Sequence, residues 1–135
     1  MRVLWAAVCC LAIQAVSPAD RIAGTWHGAS LCTDRQLDRA CRDEEVIYVI
    51  DSAVGPRGPV RWQADKIVNG VRELMGISTF TYDSAAKTWF WNRFTFAVGA
   101  GGDSLIGALR ELPSHRLVRR IAVGRCTTRI PQCPR

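Results

Sequence analysis

Few side chains in this sequence are placed for covalent chemistry. Ser104, within Gly102-Asp103-Ser104-Leu105, is the one candidate nucleophile. A serine acts as a nucleophile only beside a positioned base and an oxyanion site. His115 follows it in Glu111-Leu112-Pro113-Ser114-His115, a turn sequence that supplies no aspartate to orient the ring. Gly-Asp ahead of an apolar run reads instead as a turn entering a strand. His27 follows Trp26 and, on a strand, faces the opposite way, outward. These two histidines stand at no ligand spacing, and no C-x-x-C accompanies them, so no metal site is expected. Asp43, Glu44 and Glu45 form an acidic cluster after Cys41. Sugar hydrolysis requires two carboxylates facing across a cleft, which sequence neighbours do not provide. The cluster reads as a solvated loop, or as partners for Arg42. No catalytic residue and no cofactor is expected; with neither a P-loop nor a G-x-G-x-x-G, most nucleotide-dependent machinery is excluded too.

Aromatic residues offer a different chemistry, the holding of an apolar molecule. Residues 20–135 contain ten: Trp26, Tyr48, Trp62, Phe80, Tyr82, Trp89, Phe90, Trp91, Phe94 and Phe96. Trp89 and Trp91 share a strand face, with Phe90 opposite. Trp62, Phe80, Trp89 and Trp91 are the candidate ligand-binding residues, on the alternative that they simply fill a core.

The elements that must position them begin after a leader. Arg2 precedes an apolar run from Val3 to Val16, broken only by Gln14, and Ser17-Pro18-Ala19 offers small residues for a cut after Ala19. The run is shorter than the roughly 20 residues that span a bilayer. Cys9 and Cys10 lack the Leu-x-small context of a lipoprotein box. Residues 1–19 are therefore read as a signal peptide, and 20–135 as a single domain. Removing 19 residues from 135 leaves 116, and Cys32, Cys41, Cys126 and Cys133 remain. An even count in a small exported domain points to disulfides and to a secreted or periplasmic location. Of three possible pairings, sequence proximity favours Cys32–Cys41 with Cys126–Cys133. The first would close a charged ring from Thr33 to Asp43; the second would pin Ile130-Pro131-Gln132 to the end of the last strand.

Beyond the leader the pattern is strand, turn, strand, and no helix is required. Extended runs cover Ile22 to Cys32, Glu45 to Ile50, Val60 to Asp65 and Val71 to Tyr82. Others cover Thr88 to Phe96, as one strand or two, then Ser104 to Leu112 and Leu117 to Arg125. Asn69-Gly70 is a strong hairpin signal, and Asp65, Lys66, Asn69 and Glu73 around it are expected to set its register. The result is an all-β, small antiparallel up-and-down barrel of seven or eight strands, whose closure removes exposed edges.

The opening strand, Gly24-Thr25-Trp26-His27-Gly28, resembles the first-strand signature of lipocalins and calycins. With Cys32, Cys41, the segment from Ala64 through Asn69-Gly70 to Gly76, and Arg119-Arg120-Ile121, the chain resembles small secreted bacterial proteins of lipocalin-like type. The resemblance implies that Gly24 and Trp26 close one end of the barrel and that a last-strand basic side chain packs across the indole. Arg119, Arg120 and Arg125 are the candidates, at about 0.5–2 kcal/mol for such a cation–π contact. No Arg-x-Tyr clamp stands in the last strand, so no fatty-acid specificity is implied. Gly102-Asp103-Ser104-Leu105 resembles the nucleophile motif of GDSL-type esterases, but that family's downstream Asp-x-x-His is absent.

The formal charge is +6, and residues 110–135 account for it with seven arginines against Glu111. Arg110, Arg116, Arg119, Arg120, Arg125, Arg129 and Arg135 give the molecule one basic end, which strand alternation should divide between faces. Three roles compete. One is a non-enzymatic barrel binding a small apolar or amphipathic ligand. A second is an exported inhibitor or interaction module that meets an envelope protein through the 33–43 ring and the Asn69-Gly70 hairpin. A third is an anionic-surface binder. Nucleic acid is not an expected partner, and a monomer is expected.

Overall fold

Alternating apolar residues and eight short runs separated by turns produce a closed sheet. The computed structural model describes residues 13–53, 55–127 and 133–134. A short helix, α1 (Pro18–Ile22), precedes β1 (Gly24–Cys32), β2 (Glu44–Ile50), β3 (Val60–Val68) and β4 (Val71–Asp83). Then follow β5 (Thr88–Trp91), β6 (Phe94–Val98), β7 (Ser104–Arg110) and β8 (Leu117–Arg125). Each strand pairs antiparallel with the next, and β8 returns to β1, so the sheet is a closed up-and-down barrel of eight strands.

The aromatic run from Thr88 to Phe96 divides into β5 and β6. Asn92, at φ 53°, takes the left-handed conformation that asparagine tolerates, and the chain reverses there. The Asn69-Gly70 turn has φ 50° and 78°, the positive pair that a type I′ hairpin needs. Register then fixes direction. The connections after β1, β3, β5 and β7 lie at one end of the barrel, and those after β2, β4 and β6 at the other.

This second end is closed, and α1 closes it. The helix was not anticipated from sequence. Ser17 caps it, its hydroxyl accepting from the Asp20 N–H at 3.1 Å. Ala19 and Ile22 are buried in the same core cluster as Trp26, and the Ala19 N–H donates to the Pro56 carbonyl at 3.0 Å. The expected boundary after Ala19 thus falls inside a folded element. The apolar run over residues 3–12, with Arg2, Cys9 and Cys10, lies outside the described residues.

Trp26 is fully buried, and its Nε1–H donates to the Ile22 carbonyl at 2.9 Å. Arg125 lies over its ring, with the guanidinium carbon 4.1 Å from the centroid. The same side chain donates to the carbonyls of Ala23 at 2.6 Å, Gly102 at 3.0 Å and Arg21. One guanidinium therefore ties α1, the β6–β7 turn and the indole together. Gly24 accommodates it: at φ 126° a side chain there would be strained, and a Cβ would stand 2.9 Å from Arg125 Nη1.

Two of the expected closure residues are therefore misplaced. Register pairs Trp26 with Arg125, whereas Arg119 pairs with Cys32 at the other end and Arg120 points outward beside Leu31. Arg119 and Arg125 share an inward face, so alternation could not separate them; only the register does.

Cys32 bonds to Cys41 and Cys126 to Cys133, with Cα separations of 6.0 and 5.7 Å. The tail segment Ile130-Pro131-Gln132 lies outside the described residues. No described helix is long and apolar enough to cross a membrane.

Candidate functional site

By register, nine of the ten aromatics point into the barrel, and Phe90 alone points out. They do not fill it evenly. Toward the closed end, Trp26 and Trp89 are sealed in, and Trp89 packs on Tyr82 with centroids 5.0 Å apart. Toward the open end a cup of about 250 Å³ remains.

Its floor and wall are aromatic. Trp62 stacks on Phe80 at 4.2 Å and leans on Phe96 at 4.5 Å. Trp91 stands 6.1 Å from Phe80 and stacks with Phe94 at 6.2 Å, carrying the wall to the rim. A β-bulge between Ala64 and Asp65 leaves Met75 as the extra residue on β4, and Met75 joins the lining. On the outer face at that bulge, buried Asp65 accepts from Arg72 Nε at 2.6 Å and from Gln63, which anchors the register there.

One edge of the cup is polar. Arg119 Nη1 donates to Ser30 Oγ at 2.8 Å and lies 3.3 Å from Glu44 Oε2. Its Nη2 donates to the Arg42 carbonyl at 2.7 Å. The Tyr48 hydroxyl sits beside them; burial, and then the Glu44 carboxylate, push it well above its ordinary value, so it stays protonated.

Three of the four aromatics singled out in the sequence, Trp62, Phe80 and Trp91, converge on this cup; Trp89 does not. It shares their inward face but lies two residues nearer the closed end than Trp91, against Gly58. Tyr48, Phe94, Phe96 and Arg119 belong to the cup and were missed. Parity carried across the β5–β6 turn from Trp91 would have found Phe94 and Phe96.

The other candidates scatter. Ser104 opens β7 at the closed end, whereas His115 lies in the β7–β8 turn at the open end, so the two cannot meet. His27 faces outward and bonds Glu45 at 2.8 Å. Glu44 and Glu45 are strand residues, not loop, and the acidic cluster pairs with Arg119, His27 and Arg35 rather than Arg42. Among the described residues, no three His, Cys, Asp or Glu side chains converge as metal ligands. The C-terminal arginines are dispersed: Arg119 and Arg125 point inward at opposite ends, Arg120 points outward, and Arg110 and Arg116 sit at the open rim. Arg129 and Arg135 lie outside the described residues.

The disulfide ring forms part of the rim. Asp43 accepts from the Cys32 N–H at 2.8 Å and pairs with Arg35, while Asp34 accepts from the Leu37 N–H at 3.0 Å and pairs with Arg116. These backbone donors first, and the arginines next, hold both carboxyls below their ordinary value of 3.8. The ionised forms favour the folded ring, so this contribution is complete above 3.8 and is lost as pH falls through the lowered values. In an NMR titration, the Cys32 and Leu37 amides are expected to shift together with the Asp43 and Asp34 carboxyl carbons, at midpoints under 3.8. Midpoints at or above that value would contradict the assigned hydrogen bonds.

The chain matches no family model, no curated protein and no solved structure.

Proposed function

We propose that this protein is an exported, non-enzymatic, lipocalin-like barrel that holds one small apolar or amphipathic molecule in its open-end cup. The observation that carries this is the unfilled aromatic cup of about 250 Å³, set above a sealed lower half. Eight-stranded barrels are just wide enough to be packed solid or to hold one small ligand, and here the closed half is packed while the open half is hollow. A volume slightly under the roughly 300–1,000 Å³ of drug-sized sites fits a ligand of one or two rings. Trp26 under Arg125 supports the lipocalin-like reading. The two disulfides and the leader-like N-terminus support a secreted or periplasmic location.

The test pairs neighbouring residues on one strand. Trp91 lines the cup and is 40% exposed, while Phe90 is 42% exposed on the outer face. Titration with an apolar dye such as 1-aminoanthracene is expected to show one saturable site. Trp91→Ala should weaken it about tenfold, matching roughly 1.4 kcal/mol of lost contact, within the range for an aromatic side chain. Phe90→Ala should leave it unchanged. Absence of saturable binding in the unsubstituted protein, or equal loss in both variants, would rule out the cup as the site.

A further inference from the structure

The chemistry of the polar edge narrows the ligand class, on the reading that the cup binds a small molecule. A charge inside a barrel mouth is costly unless paired, and Arg119 has an opposite charge beside it. Arg119 faces Glu44 at 3.3 Å, with the two side chains 14% and 25% exposed. One step toward the hairpin tip, register places Lys66 opposite Glu73 on the same inward face. The inward face of the open half therefore carries two bases and two acids.

A ligand carboxylate drawn to Arg119 would meet Glu44 within the same few ångströms, in a site where solvent screens poorly. An ammonium drawn to Glu44 would meet Arg119 in the same way. Arg119 is also already committed to Ser30 and to the Arg42 carbonyl, which hold it against the wall. An uncharged hydroxyl or amide meets neither repulsion. It can accept from the Tyr48 hydroxyl, which stays protonated, and donate to the Glu44 carboxylate.

We propose that the cup selects a neutral amphipathic molecule, an aromatic or short apolar body bearing an uncharged hydroxyl or amide, over a carboxylate or an amine of the same shape. Glu44 is then the residue that rejects anions, and Arg119 the one that rejects cations.

Three ligands with one ring system separate these outcomes: 2-naphthalenemethanol, 2-naphthoate and 2-naphthylmethylammonium, titrated calorimetrically into the full chain at pH 7. The alcohol is expected to bind at least tenfold more tightly than either ion. Glu44→Gln should strengthen naphthoate about tenfold, because Arg119 then stands uncompensated. Naphthoate or the ammonium equalling the alcohol in the unsubstituted protein would overturn the proposal, whether or not the variant folds. An unchanged naphthoate affinity in a folded Glu44→Gln protein would overturn the role of Glu44. If none of the three binds, the binding cup itself fails and this proposal falls with it, an outcome distinct from binding in the wrong order.

Discussion

Trp26→Ala is expected to destabilise the barrel by about 3–5 kcal/mol, the range for emptying a buried aromatic site. Three losses coincide at this position. The fully buried indole leaves a cavity in the closed end. The Ile22 carbonyl loses its donor, and the Arg125 guanidinium loses the ring 4.1 Å beneath it. Trp26→Phe separates these effects in part, since it keeps an aromatic ring in the site but loses the N–H donor and the volume of the second ring, at about 1–3 kcal/mol. Urea unfolding reads both variants through their midpoints, with unchanged slopes showing that the denatured states are comparable. A Trp26→Ala loss under about 1 kcal/mol, well short of the cavity expectation, would mean that α1 and Arg125 close the end without the indole.

Much of this architecture was legible in the sequence. Alternation in Val60-Arg61-Trp62-Gln63-Ala64-Asp65 gave one dry face, and the Asn69-Gly70 pair specified its turn by conformational preference alone. Those are local signals, and local structure obeys them. The cup was only partly legible, because parity says which face a residue takes but not its height in the barrel. Trp89 and Trp91 have the same parity and differ by about 7 Å along the strand. That step separates a sealed core residue from a wall of the cup. Arg119 and Arg125 differ in the same way, and confusing them exchanges the two ends of the molecule.

The helix was hidden for another reason. Ser17-Pro18-Ala19 satisfies a leader-cleavage pattern and a helix start at once. Serine serves as N-cap, proline fits the first turn, and small alanine fits both a protease subsite and a tight core position. Only the tertiary contacts distinguish the two uses. Pro56 and Arg125, the groups that hold this segment, lie 37 and 106 residues away from Ala19 in a chain of 135.

Those contacts set the second large expectation, a chain beginning at Asp20 being less stable than one beginning at Val16 by about 2–4 kcal/mol. The shorter chain lacks the Ser17 cap, worth about 1 kcal/mol. It lacks the Ala19–Pro56 hydrogen bond, worth about as much again, and the buried Ala19 methyl. Ile22, left at a fraying end, then offers its carbonyl to Trp26 from a less ordered position. Because Arg125 is held in place partly by donating to the Arg21 and Ala23 carbonyls, the loss extends to the cation over the indole. Parallel urea titrations of the two chains measure the difference, and agreement within about 0.5 kcal/mol, the scale of an unremarkable surface change, would show α1 to be dispensable. On the proposed export, the same contacts lead to the expectation that the mature chain retains Ser17, with the cut upstream of that residue instead of after Ala19. The intact mass of the exported protein reads that boundary directly: a first residue of Asp20 would show that the barrel closes without its cap, and would turn the weight of the closed end onto Trp26 and Arg125 alone.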